Sequence, residues 1–554
     1  MTQAPETRAP DEAPIPSQDT YDYIIVGAGS AGCVLANRLS EDPRNRVLLL
    51  EAGGSHKRFF VTMPAGLGEL FYDPAVNWCF ETEPDQQMGG RADFWPRGKV
   101  LGGSSSINGM VYIRGQKEDF DAWEALGNPG WGFEDLLPYF RMSEDNDEGE
   151  TRYRGVGGPW KISGIRGREH PVVKLGLEAA RAQGLKDNPD FNGESQDGVG
   201  LYQFSFRDGR RTSHAAAFLD PIAGRRNLTI LTGALAHRIL FEGPRASGIT
   251  FRQGGEIRRA AARREVILSG GSVNSPMLLE LSGIGDPARL ALHGIPARRS
   301  LPAVGEHLQD HVFTGLSFKT SIPTLNDNLN RWHRLLWAGM QYVLARRGPL
   351  TFGINQGGAF ARLHDKTRPD TQLYFIPLTF RANPGGRRGP LRPDAFSGMT
   401  INASPCRPES RGSLHIRSAD PEAPPVIHRN YLATEGDVRL MVDSLQLVQT
   451  LSQTAPLSNV ITERLYLPPG RLSDAQIETW ARQTGRTTYH PTSTCRMGPD
   501  PADSVVDARL RVHGVPGLRV IDASIMPLIV SGNTNAAATA IGEKGAAMVL
   551  EDNR

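Results

Sequence analysis

The sequence predicts an α/β fold, and three observations carry that expectation. The first is a short β-branched run, Tyr23-Ile24-Ile25-Val26, with the composition of a buried strand. The second is the stretch after it, Gly27-Ala28-Gly29-Ser30-Ala31-Gly32, which leads into a helical segment from Cys33 to Leu39 with small and apolar residues on one side. The third is a second apolar run, Arg46-Val47-Leu48-Leu49-Leu50-Glu51. Strand, glycine turn, helix and strand together make a Rossmann-type βαβ unit of about thirty residues.

The remaining elements come in order. Residues 85 to 115 are rich in glycine and serine and read as an ordered loop with a helix start. Residues 118 to 146 read as helix broken at Asn128-Pro129-Gly130, and 170 to 184 as an amphipathic helix. Strands are expected at 227–231, 235–241 and 247–252, and Arg264-Glu265-Val266-Ile267-Leu268 reads as another buried strand. A helix is expected from about Asn274 to Ser282. Residues 312 to 470 alternate aromatic-rich segments with Pro-rich loops, Leu518-Arg519-Val520-Ile521 is strand-like, and Asn535 to Glu551 is an Ala-rich helix. No internal repeat at a solenoid period is present.

Composition narrows the function classes. A chain of 554 residues has room for two to four domains at roughly 150 residues each. The 62 basic residues nearly balance the 60 acidic ones, so no basic face for nucleic acid is expected. The four cysteines form no CxxC pair, which argues against a disulfide framework and a cysteine metal site and favours a reducing, cytoplasmic setting. No apolar run approaches the ~18 residues of a membrane helix. The first twenty residues, rich in Pro, Ala and acids, lack a signal-peptide pattern and read as a disordered tail.

Four constellations carry chemistry. In the first, Gly27 permits a tight turn, Gly29 lets the backbone approach a pyrophosphate, and Gly32 lets helix and strand pack closely. Ser30 and Ala31 open the helix, whose free N–H groups suit a phosphate. Glu51, with Ala52 next to it, ends the second strand, where a carboxylate accepts ribose hydroxyls and repels a 2′-phosphate. This is a dinucleotide site. The second constellation runs from Arg97 and Gly98 through Leu101, Gly103, Ser104, Asn108 and Gly109. So much Gly and Ser fits backbone packed against something flat or charged, or else a flexible surface loop.

The third constellation, Gly271 to Gly285, fits a plain capped helix with Pro276 in its first turns and Gly283 at its end. The fourth joins Tyr489-His490-Pro491-Thr492-Ser493-Thr494 to Asp522-Ala523-Ser524 and Ser531-Gly532-Asn533-Thr534. His490 precedes a proline and so sits on an extended, rigid loop. Its residue type suits a base, and equally a satisfied structural histidine. Two further features read as structural. His307 and His311 have helical i,i+4 spacing but lack the glutamate of a zinc helix, and the acidic run Glu144 to Glu150 reads as a solvated loop.

The segments at 97–115 and 271–285, the opening GAGSAG, and the closing HPTSTCRMG and GNTNAAATAIGEKGA blocks resemble the glucose–methanol–choline (GMC) oxidoreductases, which are FAD flavoenzymes. The likeness runs from about Asp22 to Leu550, and FWPRGKVLGGSSSINGMVYIRG, NWCFETEP and DFNGESQDGVGLYQ look most like its bacterial alcohol, choline and polyethylene glycol dehydrogenase branch. The resemblance implies a discontinuous Rossmann-type FAD domain over 21–160, 221–311 and 471–554. It also implies a substrate domain, an antiparallel sheet with helices, over 161–220 and 312–470. Carried over, His490 is the catalytic histidine and Asn533 its partner. Gly27, Gly29, Gly32 and Glu51 bind the ADP half, Gly103, Asn108 and Val111 lie along the flavin, and Ala236 meets the adenine. Asp522 and Ala523 fall near the pyrophosphate and flavin. Ile107 stands where some relatives carry a flavin-linking histidine, so the FAD is expected to be non-covalent.

The activity this resemblance implies is oxidation of an alcohol, preferably primary, to the aldehyde. Hydride passes to flavin N5, and His490 takes the hydroxyl proton through a group titrating near neutrality. The electrons then leave to oxygen, a quinone or a respiratory carrier, with association at the inner membrane face. The alternatives are an oxidase yielding hydrogen peroxide and a lyase or decarboxylase on the same scaffold. Tyr374, Phe375 and Phe380 fit a pocket lining or core equally well.

Overall fold

The computed structural model describes residues 17–380 and 392–554. Most of the expected N-terminal tail lies outside these residues. Its expected end is corrected: Ser17–Asp19 forms a helical turn, and Thr20 already opens the strand Thr20–Val26. Arg263 donates to Asp22 at 2.9 Å and fixes that strand early.

The first sheet has seven strands, in the order 228–232, 47–51, 20–26, 256–268, 245–253 and 234–242, with 518–520 also paired to 256–268. The strands around the opening βαβ unit are parallel, with Tyr23 opposite Val47 and Val26 opposite both Leu50 and Leu268. The strands 234–242 and 245–253 extend it as an antiparallel hairpin onto 256–268. Val47–Glu51 is buried at every position, as expected of a parallel strand covered on both faces. The C-terminal helix Asn535–Asp552 lies against the first helix, Ser30–Leu39, closely enough that a Cβ on Gly542 would stand 2.9 Å from Ala31 Cα. Arg38 grips Glu543 through two bonds of 2.7 and 2.8 Å.

The second sheet also has seven strands, all antiparallel: 461–464, 312–320, 398–405, 371–376, 357–361 and 198–201, with Arg486–Thr487 paired to 312–320. In Val312–Thr320, buried and part-exposed residues alternate, the pattern of a sheet with one face covered. Helices Pro171–Ala182 and Glu435–Ser452 cover that face, and Phe375 packs there, 2.9 Å from the position a Cβ on Gly176 would take. Tyr374 points to the opposite face and joins Tyr202 and Phe360.

The acidic run is a solvated loop only in part: Asp147, Glu148 and Glu150 are exposed, but its first residue is not. Glu144 is fully buried and bound by Arg114 and Arg154. A carboxylate is buried there because two guanidiniums supply its hydrogen bonds.

Candidate active site

The glycine turn is set by backbone contacts. Gly27 has φ +101°, and a Cβ on it would stand 2.5 Å from Ser269 O. On Gly32 a Cβ would stand 1.9 Å from Gly27 O. Gly29 differs: the nearest atom to its Cβ position is Ser269 O at 3.8 Å. Nothing in the protein demands glycine there, so the space beside it fits a group from outside the chain. Gly29 is also the N-cap of Ser30–Leu39 and makes no side-chain cap bond, so N–H groups of the first turn face that space. The C-terminal helix begins alongside, also without a side-chain cap, and Ser30 Oγ donates to Asn535 Oδ1 at 2.6 Å. Two helix N-termini converge, as an anionic pyrophosphate requires.

Glu51 lies behind the turn, accepting from the N–H of Ala28 at 3.0 Å and of Gly53 at 2.8 Å. Burial pushes its carboxyl up to about 7. The glycine–serine segment is laid on this turn and is not a flexible loop. Gly102 N–H donates to Ala28 O at 2.8 Å, a Cβ on Gly103 would stand 2.7 Å from Gly29 Cα, and Ser105 and Ser106 are buried. Arg211 donates to the carbonyl and side-chain oxygens of Asn108 at 2.7 and 2.8 Å. Gly29, Ser30, Ala52, Leu101, Ser104, Asn108, Gly109, Ala236 and Ala523 keep part-exposed surface, while Ala31, Glu51, Gly103, Val111, Asp522 and Thr534 are buried behind them. Asp522 accepts from Gly271 N–H and Ser275 Oγ at 2.9 and 2.6 Å, so it anchors the helix Gly271–Leu281. These groups suit FAD: helix ends and glycines for its pyrophosphate, a carboxylate for its ribose.

His490 stands on a braced loop. Tyr489 before it has φ +69°, an uncommon value for a non-glycine residue. Arg97 holds that strain by donating to Tyr489 O at 2.6 Å, and burial lowers the Arg97 guanidinium to about 10. Asp310, pushed up to about 6 by burial, accepts the His490 N–H at 2.8 Å and the Thr487 hydroxyl at 2.5 Å. Gln309 and Thr492 exchange backbone hydrogen bonds of 3.2 and 2.8 Å. The segment His307 to His311 is therefore a brace and not a helix: His307 turns away to Asp503, 3.1 Å distant, while His311 reaches His490.

The proton positions on His490 are set by its neighbours. His311 Nε2 lies 2.8 Å from Cys406 O, and a carbonyl only accepts, so Nε2 carries the His311 proton. Burial lowers the His311 ring to about 4, which keeps it neutral and makes Nδ1 an acceptor. His490 Nδ1, 3.0 Å away, is then the donor. Thr488 Oγ1 gives its own hydrogen to His311 O and lies 3.1 Å from the same Nδ1 as a second acceptor. His490 Nε2 therefore presents a lone pair. Burial, with the His311 ring and the Arg97 guanidinium nearby, holds this imidazole well below its ordinary value.

Asn533 Nδ2 lies 3.2 Å from Nε2, and Gln372 Nε2 donates to Asn533 Oδ1 at 3.4 Å. The Tyr374 hydroxyl also bonds Asn533. The loop bearing Asn533 is pinned at Ser531, whose N–H and hydroxyl donate to Asp119 at 2.6 and 3.0 Å. The structure thus brings together His490 and Asn533, as expected, and adds His311, which reads as structural in the sequence because the glutamate of a zinc helix is missing. Residue type and spacing alone held no signal for His311. A cleft of about 890 Å³ lined by Phe206, Arg346 and Gln356 lies elsewhere. The matched donors and acceptors mark the site, not cavity size. Among the described residues, no group of His, Cys, Asp or Glu could hold a metal.

Comparison with known proteins identifies the family. The N-terminal model of the GMC oxidoreductases matches residues 21–313 and the C-terminal model matches 408–542. The chain is 40% identical to human mitochondrial choline dehydrogenase, over 96% of this chain and 90% of that one. It is also 40% identical to an alcohol dehydrogenase [acceptor] of Pseudomonas putida, over 96% of each. Among solved structures, pyridoxine 4-oxidase from Mesorbium loti superposes with TM-score 0.85 at 32% identity, covering 95% of this chain and 98% of that one. An FAD-carrying formate oxidase from Aspergillus oryzae superposes with TM-score 0.89 at 27% identity, covering 96% and 98%. The chain belongs to the GMC oxidoreductases and is an FAD-dependent oxidoreductase of α/β fold.

Proposed function

We propose that the protein oxidises a primary alcohol to its aldehyde, with His490 as the base and Asn533 positioning the alcohol oxygen. FAD, held by the glycine turn, the two helix N-termini and Glu51, would supply the hydride acceptor when bound. The tautomer of His490 supports this reading most strongly. Its Nδ1 proton is engaged by His311 and Thr488, so Nε2 is an acceptor. An alcohol oxygen within reach of both groups receives the Asn533 N–H and gives its proton to Nε2. The loop beneath, held by Arg97, Asp310 and Gln309, keeps that geometry without help from substrate.

A neutral alcohol is favoured over a quaternary ammonium. The buried carboxylates of this network are committed: Asp310 to Tyr431, Thr487 and the His490 N–H, and Asp119 to Ser531 and Arg368. The flavin is held without a covalent link at residue 107, because Ile107 is a buried aliphatic side chain. Acid denaturation is expected to release all of the yellow colour.

The first sheet and its helices hold FAD in this reading, and the second sheet roofs the alcohol. The deciding experiment is anaerobic stopped-flow reduction of the flavin by alcohol in His490→Ala. A loss of about 10² to 10⁴-fold with FAD retained is expected for removal of a general base. A variant that reduces its flavin at the wild-type rate would refute the assignment.

A further inference from the structure

His490 takes its sense from a backbone carbonyl. Cys406 O fixes the proton on His311 Nε2, and His311 then leaves His490 Nε2 free to accept. A second chain of bonds reaches Asn533 from the same sheet. The Tyr202 hydroxyl lies 2.7 Å from Leu373 O. A carbonyl only accepts, so the Tyr202 hydrogen points there and its oxygen is left as an acceptor. Gln372 Nε2 stands 3.2 Å from that oxygen and 3.4 Å from Asn533 Oδ1. A flipped Gln372 amide would set Oε1 against two acceptors. The order Leu373 O, Tyr202, Gln372, Asn533 therefore runs one way, and it ends with Asn533 Nδ2 toward His490.

This chain is built into the second sheet. Tyr202 and Gln372 are both buried, Gln372 within Thr371–Ile376 and Tyr202 directly after Gly198–Leu201. The strand between them, Gly357–Ala361, carries Gly358, where a Cβ would stand 1.9 Å from Leu373 O and 2.4 Å from Tyr202 Oη. Any side chain there would part the hydroxyl from its carbonyl.

Before the reaction the lone pair on His490 Nε2 orients Asn533 unaided, since it attracts Nδ2 and repels Oδ1. That hold ends when Nε2 takes the alcohol proton. The imidazolium then attracts Oδ1, just as the alcohol oxygen gains charge and needs the Nδ2 hydrogen. The Tyr374 hydroxyl, also bonded to Asn533, can donate or accept and so does not fix which way the amide faces. Gln372 does, because its Nε2 can only donate.

We infer that Gln372 and Tyr202 are positioning residues that keep the Asn533 amide facing the reacting oxygen while His490 becomes charged. The inference rests on the alcohol-oxidation reading.

The test is anaerobic flavin reduction by alcohol in the FAD-loaded protein, arranged as a double-mutant cycle. Gln372→Met keeps the volume of the side chain and removes its donors. It is expected to lower the limiting rate about three- to tenfold, with the apparent Kd of the alcohol changed less than about twofold. In an Asn533→Ala background the same substitution is expected to change the rate by less than about twofold, because the side chain it orients is gone. Tyr202→Phe is expected to act in the same direction and by no more, and it carries the cycle if Gln372→Met does not retain its FAD. Losses that multiply in the double variant overturn the inference, since a packing role is indifferent to Asn533. So does a wild-type rate in Gln372→Met and Tyr202→Phe while Asn533→Ala is slow, an outcome that leaves the alcohol-oxidation reading standing. A wild-type rate in Asn533→Ala itself overturns the role of Asn533 in that reading, and the inference falls with it.

Discussion

The two ends of the site are built differently. At the cofactor end the work falls to main chain: glycines that admit no Cβ and helix N–H groups that face outward. At the proton-accepting end it falls to side chains from residues 311, 488, 490 and 533, each oriented by the next. The difference teaches what each end tolerates. Main-chain contacts at 1.9 to 2.7 Å from a would-be Cβ leave no room for adjustment. A relay of side-chain bonds can lose a member and keep part of its function.

The largest effect should separate two glycines five and two residues after Gly27. Gly32→Val is expected to prevent folding, because its Cβ would overlap Gly27 O at 1.9 Å. Gly29→Val is expected to leave a folded protein with little bound FAD, because its Cβ meets only the cofactor's space. Circular dichroism with the flavin-to-protein absorbance ratio separates them. A Gly29→Val protein that retains its FAD would break the comparison at that end.

Asn533→Ala should come next, with flavin reduction slowed roughly tenfold by loss of about 1–1.5 kcal/mol from one hydrogen bond. The base remains, so the cost stays below that of His490→Ala. Equal losses in single-turnover traces of the two variants would show that the two do not play separate roles.

His311→Phe should slow the reaction only a fewfold, because Thr488 Oγ1 still accepts from His490 Nδ1. Its signature lies in the pH profile. The base must be unprotonated, and in the wild type its pKa is held well below the ordinary imidazole value by burial, His311 and Arg97. Flavin reduction should therefore be flat through neutrality and fall only as the pH drops through that lowered pKa. The near-neutral limb expected from the residue type alone is displaced. In His311→Phe one of the depressing neighbours is gone, so the limb should move to higher pH. A limb unmoved by the substitution would leave His311 a merely structural brace.

The cofactor end was legible because its signals are local. Gly27, Gly29 and Gly32 fall within six residues, and Glu51 comes at the distance one helix imposes. The buried parallel strands were legible for the same reason, as unbroken apolar runs. The second sheet was legible only through the family resemblance, because the partners of Val312–Thr320 lie far off at 398–405 and 461–464. His311 escaped because its meaning is a hydrogen bond across 179 residues. Glu144 looked solvated because its guanidinium partners stand 30 residues before it and 10 after.

The bond between Ser30 and Asn535 spans 505 residues and joins the two helix ends that suit the pyrophosphate. One lies near the start of the described chain and the other in its last turns. At roughly 5–20 residues per second, a nascent chain makes the first about half a minute or more before the second exists. A chain halted short of the final helix therefore presents half a cradle and the bare side of its first helix. Binding of the pyrophosphate between the two helix ends therefore waits until residues on both sides of that 505-residue separation have been made.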